Sequence, residues 1–287
     1  MTIKHFYDEA TNTLTYLVYD QKTKDAVVID PVWDFDPPSG ALTNTSNDIL
    51  FKAIEDEGLD LHYILETHAH ADHLSGSKLI KEKYPNVKLA IGENITKVQE
   101  VFKGIFNLGD EFKTDGSQFD ELLKDGETVK AGSLEFKVIF TPGHTPACAS
   151  YLIEDAVFTG DALFMPDFGT GRCDFPAGSA TDLYNSVHNK LYELPDETRV
   201  FTGHDYQPGG RKLQYESTIG IEKQKNIQLK AETTEAEFVK FREDRDKTLS
   251  APKLLLPSIQ VNIRAGHLPP AEDNGVSYLK LPLKVKE

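Results

Sequence analysis

Cysteine is nearly absent: Cys148 and Cys173 are the two in 287 residues. Two thiols cannot build a disulfide framework, and they suit a reducing compartment. Long apolar runs are lacking as well. No stretch approaches the roughly 20 residues that a membrane-spanning helix needs, and the polar start MTIKHFYDEATN has no apolar signal-peptide core. The expectation is a cytoplasmic protein with no membrane association. Positive charge is scarce too: 31 lysines and arginines stand against 46 acidic residues, a formal net charge of -15. Such a field repels nucleic acid and anionic membranes, so the expected partner is a small molecule, and a homodimer is compatible with it. Fixed-period repeats, long linkers and low-complexity tracts are missing, while 39% hydrophobic and 27% charged residues are ordinary for a folded chain. We expect one domain over residues 1–287, with 250–287 as a C-terminal extension packed on it.

What is present is a run of short strands and amphipathic helices. Residues 14–20, 26–30 and 63–67 read as strands that each stop at a polar cluster, with a helix over 47–58 ending in glycine. Helices are predicted over 74–84 and 95–106, the second with Ile95, Val98, Val101, Phe102, Ile105 and Phe106 on one face. Residues 128–140 read as a hairpin turning at Ala131-Gly132-Ser133, followed by strands over 150–153 and 156–159. Ser179 and Asp182 form a capping box that opens a helix with Leu183, Val187 and Leu191 toward the core. A strand over 199–202, helices over 213–226 and 234–249, and an irregular proline-rich tail complete the reading. Strands and helices on either side of a hairpin-rich middle suit two stacked sheets with helices outside.

The stretch ETHAHADHLSG, residues 66–76, concentrates His68, His70, Asp72 and His73 directly after a predicted strand. Histidines two apart on extended chain project to the same side, unlike the four-residue spacing of a zinc-binding helix. Asp72 and His73 follow where the chain must turn, so four ligand-type side chains can surround one point or two neighbouring points. Three more candidates follow predicted strands, each beside a glycine: His144 in TPGHTP, Asp161 in FTGDALF and His204 in FTGHDY. Glycine lets a strand end turn tightly and aim a ligand into a cleft. His5, His62, His188 and His267 belong to no cluster and are expected to be structural, as are both cysteines.

HAHADH, TPGHT, FTGDAL and GHDY, in that order, resemble the metallo-β-lactamase superfamily. The resemblance implies an α/β fold of the αββα type, two mixed β-sheets flanked by helices with metal at one edge. GRCDFPAG and the ending PSIQVNIRAGHLPP resemble the glutathione-dependent persulfide dioxygenases and the bacterial β-lactamase-like hydrolase group. That resemblance implies one Fe(II) per chain on His68, His144 and Asp161, which also form the catalytic set. The implied reaction is oxidation of glutathione persulfide by O2 to sulfite and glutathione, as in sulfide detoxification.

The alternative implied by hydrolytic relatives is a glyoxalase II-like enzyme that cleaves a glutathione thioester with Zn(II), one or two per chain. His68, His70 and His144 would then hold one ion and Asp72, His73 and His204 the other, with Asp161 bridging. In the iron reading, His70, Asp72, His73 and His204 instead orient ligands or hold water. For the anionic substrate, Arg172, Tyr206 and Arg211 are the nearest candidate contacts by sequence, while Arg242, Arg245 and Arg264 have no positional argument. The sparse helical periodicity after Leu249 departs from the helical C-terminal domain of glyoxalase II enzymes.

Overall fold

Alternation along Thr13–Tyr19 sends Leu14, Tyr16 and Val18 to one face and Leu17 and Tyr19 to the other, and both faces are buried. This strand therefore lies inside a layered molecule. The computed structural model describes residues 1–283. Among them the strands in chain order are β1 (Thr2–Asp8), β2 (Thr13–Tyr19), β3 (Asp25–Ile29), β4 (Val32–Asp36), β5 (Ala41–Thr43), β6 (Asp60–Glu66), β7 (Leu74–Ser75) and β8 (Lys88–Gly92). They continue as β9 (Glu121–Leu123), β10 (Thr128–Ala131), β11 (Leu134–Phe140), β12 (Ala149–Ile153), β13 (Ala156–Phe158), β14 (Arg199–Phe201) and β15 (Glu216–Thr218). The helices are α1 (Thr45–Glu57), α2 (Ser77–Lys83), α3 (Ile95–Ile105), α4 (Ala180–Ser186), α5 (Ile219–Lys225), α6 (Glu235–Asp246) and α7 (Leu255–Asn262).

Two mixed sheets stack. The first runs β1-β2-β3-β6-β8-β9, antiparallel up to β3 and parallel beyond it; the second runs β10-β11-β12-β13-β14-β15, with β13 and β14 as its parallel pair. Between them Tyr16 meets Phe158 and Phe201 edge-on, with ring centres 5.2 and 5.5 Å apart, and Tyr63 meets Phe136 at 5.3 Å. The outer face of the first sheet packs Leu17, Val28 and Ile64 against α1, α3 and α7 through Ile54, Phe102 and Ile259. The outer face of the second packs Val157 and Val200 against Leu183, Ile219 and Phe238 of α4, α5 and α6. The layers are helix, sheet, sheet, helix, as the motif resemblance implied. No helix among the described residues is long and apolar enough to cross a membrane.

Several boundaries depart from the sequence reading. Leu74 and Ser75 do not begin a helix but pair with Trp33 and Val32, because the main chain there must answer β4 before α2 starts at Ser77. Residues 216–218 form an edge strand, and Thr218 caps α5 by accepting a hydrogen bond from the Ile221 amide at 3.2 Å. The proline-rich tail contains α7, with Pro257 in its first turn, where a missing amide costs no intrahelical bond. The hairpin loop is the two residues Gly132-Ser133, with Gly132 at φ +66°, since Ala131 already pairs with Leu134.

One buried acid gives the fold a pH dependence of its own. Glu222 in α5 is fully buried; Oε2 accepts from Asn226 at 2.9 Å, while Oε1 has no partner among the described residues. Burial pushes its carboxyl up to about 7. The folded state thus binds a proton more tightly than the unfolded chain, so this contribution is complete below the unfolded value near 4.5 and is lost as pH rises through about 7. The loss is on the order of 3 kcal/mol. Glu222→Gln should flatten that part of the stability curve, as urea unfolding between pH 4.5 and 8 would measure.

Candidate metal centre

Five histidines and two aspartates arrive at one place from four strand ends. β6 delivers His68, His70, Asp72 and His73; the turn between β11 and β12 delivers His144; β13 is followed by Asp161 and β14 by His204. The rings of His68 and His70 are centred 4.1 Å apart, His70 and His73 4.1 Å, and His68 and His144 5.0 Å. Two glycines permit the approach. Gly160 has φ +49°, and a Cβ there would lie 2.5 Å from Thr67 Oγ1; Gly143, at φ +145°, lies so close to Leu183 that a side chain would strike its backbone.

The shape of the loop comes from residues that the sequence reading passed over. Asp30, at the end of β3, accepts from the Thr67 amide at 2.7 Å, from Thr67 Oγ1 at 2.8 Å and lies 3.0 Å from His70 Nε2. Glu66 accepts from the hydroxyls of Ser75 and Ser77 and lies 3.3 Å from the same His70 nitrogen. Asn262 in α7 donates to the carbonyls of His70 and His73, both at 2.8 Å, and accepts from the Ser75 amide at 2.8 Å. His144 Nδ1 donates to the Arg172 carbonyl at 2.7 Å. The main-chain contacts tie the loop, and the contacts to His70 Nε2 and His144 Nδ1 leave the opposite nitrogen of each ring free.

The atoms left without hydrogen bonds are what call for a cation. His68 Nε2, His70 Nδ1, His73 Nε2, His204 Nε2, Asp72 Oδ2 and Asp161 Oδ1 are all buried with no hydrogen-bond partner among the described residues. Leaving a buried donor or acceptor unsatisfied costs about 1–3 kcal/mol each; His204 Nε2 is at ion-pair distance from the Asp72 and Asp161 oxygens, while His68 Nε2, His70 Nδ1 and His73 Nε2 have no such neighbour among the described residues, and their convergence on one place fits a metal site. Donor atoms of His68, His144 and Asp161 lie within 4.8 Å of one another, as do those of His70, Asp72 and His73.

The protonation states of His68, His73 and Asp161 suit ligation, which needs neutral imidazoles and ionised carboxylates; burial lowers His70 too, but Asp30 and Glu66 prevail and raise it well above the usual imidazole range. Burial, reinforced by His70, holds His68 well below the usual imidazole range and lowers His73 to about 4. Burial alone would raise Asp161, yet His204 and His144 outweigh it and keep the carboxyl well below its ordinary value. His204 goes the other way: burial lowers it, but Asp72 and Asp161 prevail and raise it to about 9.

A cavity of about 780 Å³ opens over this cluster, with Asp72, His144 and Asp161 on one side and Phe164, Phe168 and Tyr206 on another. The Tyr206 ring stacks on Phe168 at 4.7 Å. Arg172 lines the cavity, its guanidinium engaged by Asp174 and by the Ser250 carbonyl at 2.7 Å. Arg211 is not among the residues lining it. Both of its guanidinium forks are engaged, by Asp205 at 2.7 Å and by Asp167 at 2.5 and 2.9 Å, so what it supplies is the position of the segment after His204. Arg245 and Lys253 do line the cavity, although no motif announced them. Cys148 and Cys173 are both buried, and burial raises both thiols, Cys148 to about 12, opposite to the depressed value of a reactive thiol.

An αββα sandwich with a histidine and aspartate cluster at its strand ends defines a class of metal-dependent enzymes. Residues 9–204 match the Metallo-beta-lactamase superfamily, and the chain belongs to that superfamily. Glyoxylase B2 of Dictyostelium discoideum is 50% identical over 282 residues, 98% of this chain and 96% of that protein. The human mitochondrial persulfide dioxygenase ETHE1 is 29% identical, over 92% of this chain and 88% of its own. The crystal structure of ETHE1 from Myxococcus xanthus superposes with a TM-score of 0.75 at 31% identity, covering 93% of this chain and all of that one.

Proposed function

We propose that this chain is an iron-dependent persulfide dioxygenase, converting glutathione persulfide, O2 and water into glutathione and sulfite at one Fe(II) held by His68, His144 and Asp161. The observation that carries the reading is that His68, His144 and Asp161 present atoms within 4.8 Å of one another, the two-histidine, one-carboxylate set of a mononuclear site; His70, Asp72 and His73 gather equally closely beside it, and His204 belongs to neither group. His204 Nε2 lies instead 3.1 Å from Asp72 and 3.3 Å from Asp161, as an ion pair beside the triad. The likeness to the human persulfide dioxygenase and to the Myxococcus ETHE1 structure, each over more than nine-tenths of the chain, supports the same reading.

When bound on two histidines and one carboxylate, Fe(II) supplies open coordination positions and one-electron redox chemistry. The chain's own groups do the rest. The Arg172 carbonyl fixes the His144 ring so that Nε2 faces inward, and protonated His204 holds the Asp161 carboxylate in place. Phe164, Phe168 and the Tyr206 ring give the cavity an aromatic lining. Arg245 and Lys253 bring positive charge to a cavity in an otherwise acidic protein, suited to the carboxylates of a glutathione moiety, while the Arg172 guanidinium beside them is paired with Asp174. The proposed setting is the cytoplasm, with a monomer or homodimer as the working unit.

The resemblance to Glyoxylase B2 at 50% identity favours a second reading, a zinc thioester hydrolase using one or two ions. Metal reconstitution separates them. Oxygen uptake should rise with added Fe(II) and saturate at one ion per chain; saturation of thioester cleavage at two Zn(II) per chain, without oxygen uptake, would move the assignment to the hydrolase.

A further inference from the structure

α6 presents three residues to the interior at four-residue spacing, Phe238, Arg242 and Asp246, and two of the three are ionic. Arg242 is 3% and Asp246 5% exposed, so the pair sits where an apolar contact would ordinarily pack at lower desolvation cost. Arg242 Nη2 donates to Asp246 Oδ1 at 2.6 Å. The other carboxylate oxygen accepts from the Cys173 amide at 2.8 Å. Cys173 N–H and Arg172 C=O are the two ends of a single peptide group, and the carbonyl end accepts from His144 Nδ1 at 2.7 Å.

We propose that the Arg172–Cys173 peptide transmits the charge of Asp246 to His144, making Asp246 and Arg242 positioning residues of the metal centre. A carboxylate on the amide end of a peptide raises the negative charge on its carbonyl end, and hydrogen bonds in such chains strengthen one another by about 10–30% each. The carbonyl then fixes the proton on His144 Nδ1 and the orientation of the ring, leaving Nε2, 3.5 Å from Asp161, as the nitrogen that faces the metal position. Arg242 also fixes the approach to this peptide, reaching the carbonyls of Thr170 and Gly171 at 3.4 Å and Gln228 Oε1 at 3.1 Å. Arg242 and Asp246 lie outside residues 9–204, which carry the superfamily match, and so couple a C-terminal helix to the site. The relay rests on His144 being a metal ligand.

The test uses Co(II), whose visible absorption bands report the ligand field. Arg242→Met with Asp246→Asn removes both charges while Asn keeps an acceptor for the Cys173 amide; Arg242→Gln with Asp246→Asn, which also leaves no unpaired charge, serves should that variant not fold. Co(II) affinity is expected to fall about tenfold, with displaced absorption bands and metal-free melting close to the wild type. Wild-type affinity and bands in the variant overturn the relay, as does lowered metal-free melting with unchanged bands, which is a purely structural role. His144→Ala is measured alongside: a much larger loss of affinity supports the ligand reading, and wild-type affinity there overturns that reading together with the relay.

Discussion

Asp161→Ala should abolish iron retention and with it oxygen uptake, while His204→Ala should retain most of its iron. Asp161 is one of three groups whose donors gather within 4.8 Å, and its buried Oδ1 has His204 Nε2 at 3.3 Å as an ion-pair neighbour. Removing it takes away the one anionic member of the triad, leaving two neutral imidazoles around a divalent ion. His204 touches the cluster through ion-pair distances to Asp72 and Asp161, so its loss disturbs the orientation of Asp161 rather than a ligand bond. We expect a drop of about 10- to 100-fold in activity for His204→Ala. Iron per chain after desalting, measured for both variants, checks this; equal loss of metal would contradict the mononuclear assignment.

Asp30→Ala should be the most destabilising change at the site. Asp30 is 2% exposed and its carboxylate serves the Thr67 amide, the Thr67 hydroxyl and His70 together. Alanine would leave the Thr67 amide and hydroxyl without this acceptor and His70 with Glu66 alone, and at about 1–3 kcal/mol for each of the two Thr67 groups the loss should reach roughly 2–6 kcal/mol. Asp30→Asn keeps one acceptor oxygen for the Thr67 amide and should lose less. Urea unfolding of the metal-free proteins measures both, and an Asp30→Ala midpoint equal to the wild type would show that the loop keeps its shape by other means.

The seven candidate ligands were legible because they stand in a dense local motif and beside glycines at strand ends, signals that need no knowledge of the fold. The layered architecture was legible through its strands, most clearly β2, β3 and β6, whose apolar runs are continuous. The supports of the site were not. Asn262, although inside the PSIQVNIRAGHLPP phrase, meets the His70 carbonyl across 192 residues and Asp246 meets the Cys173 amide across 73, contacts that no local spacing encodes. Asp30 marked the end of a strand without revealing that its carboxylate would govern the loop after β6. The helix predicted from residue 213 failed at its start because residues 216–218 could satisfy their backbone by pairing with β14 first. Arg211 sat near His204 in sequence, but Asp205 and Asp167 take its donors. Arg245 and Lys253 reach the cavity through packing of the segment from α6 to α7, which spacing alone does not encode.

The most direct test is oxygen uptake by Fe(II)-loaded protein on addition of glutathione persulfide, with sulfite quantified in the same vessel. The proposed activity predicts rapid uptake with one sulfite formed per O2 consumed; verified iron-loaded protein that takes up no oxygen while cleaving a glutathione thioester would contradict it.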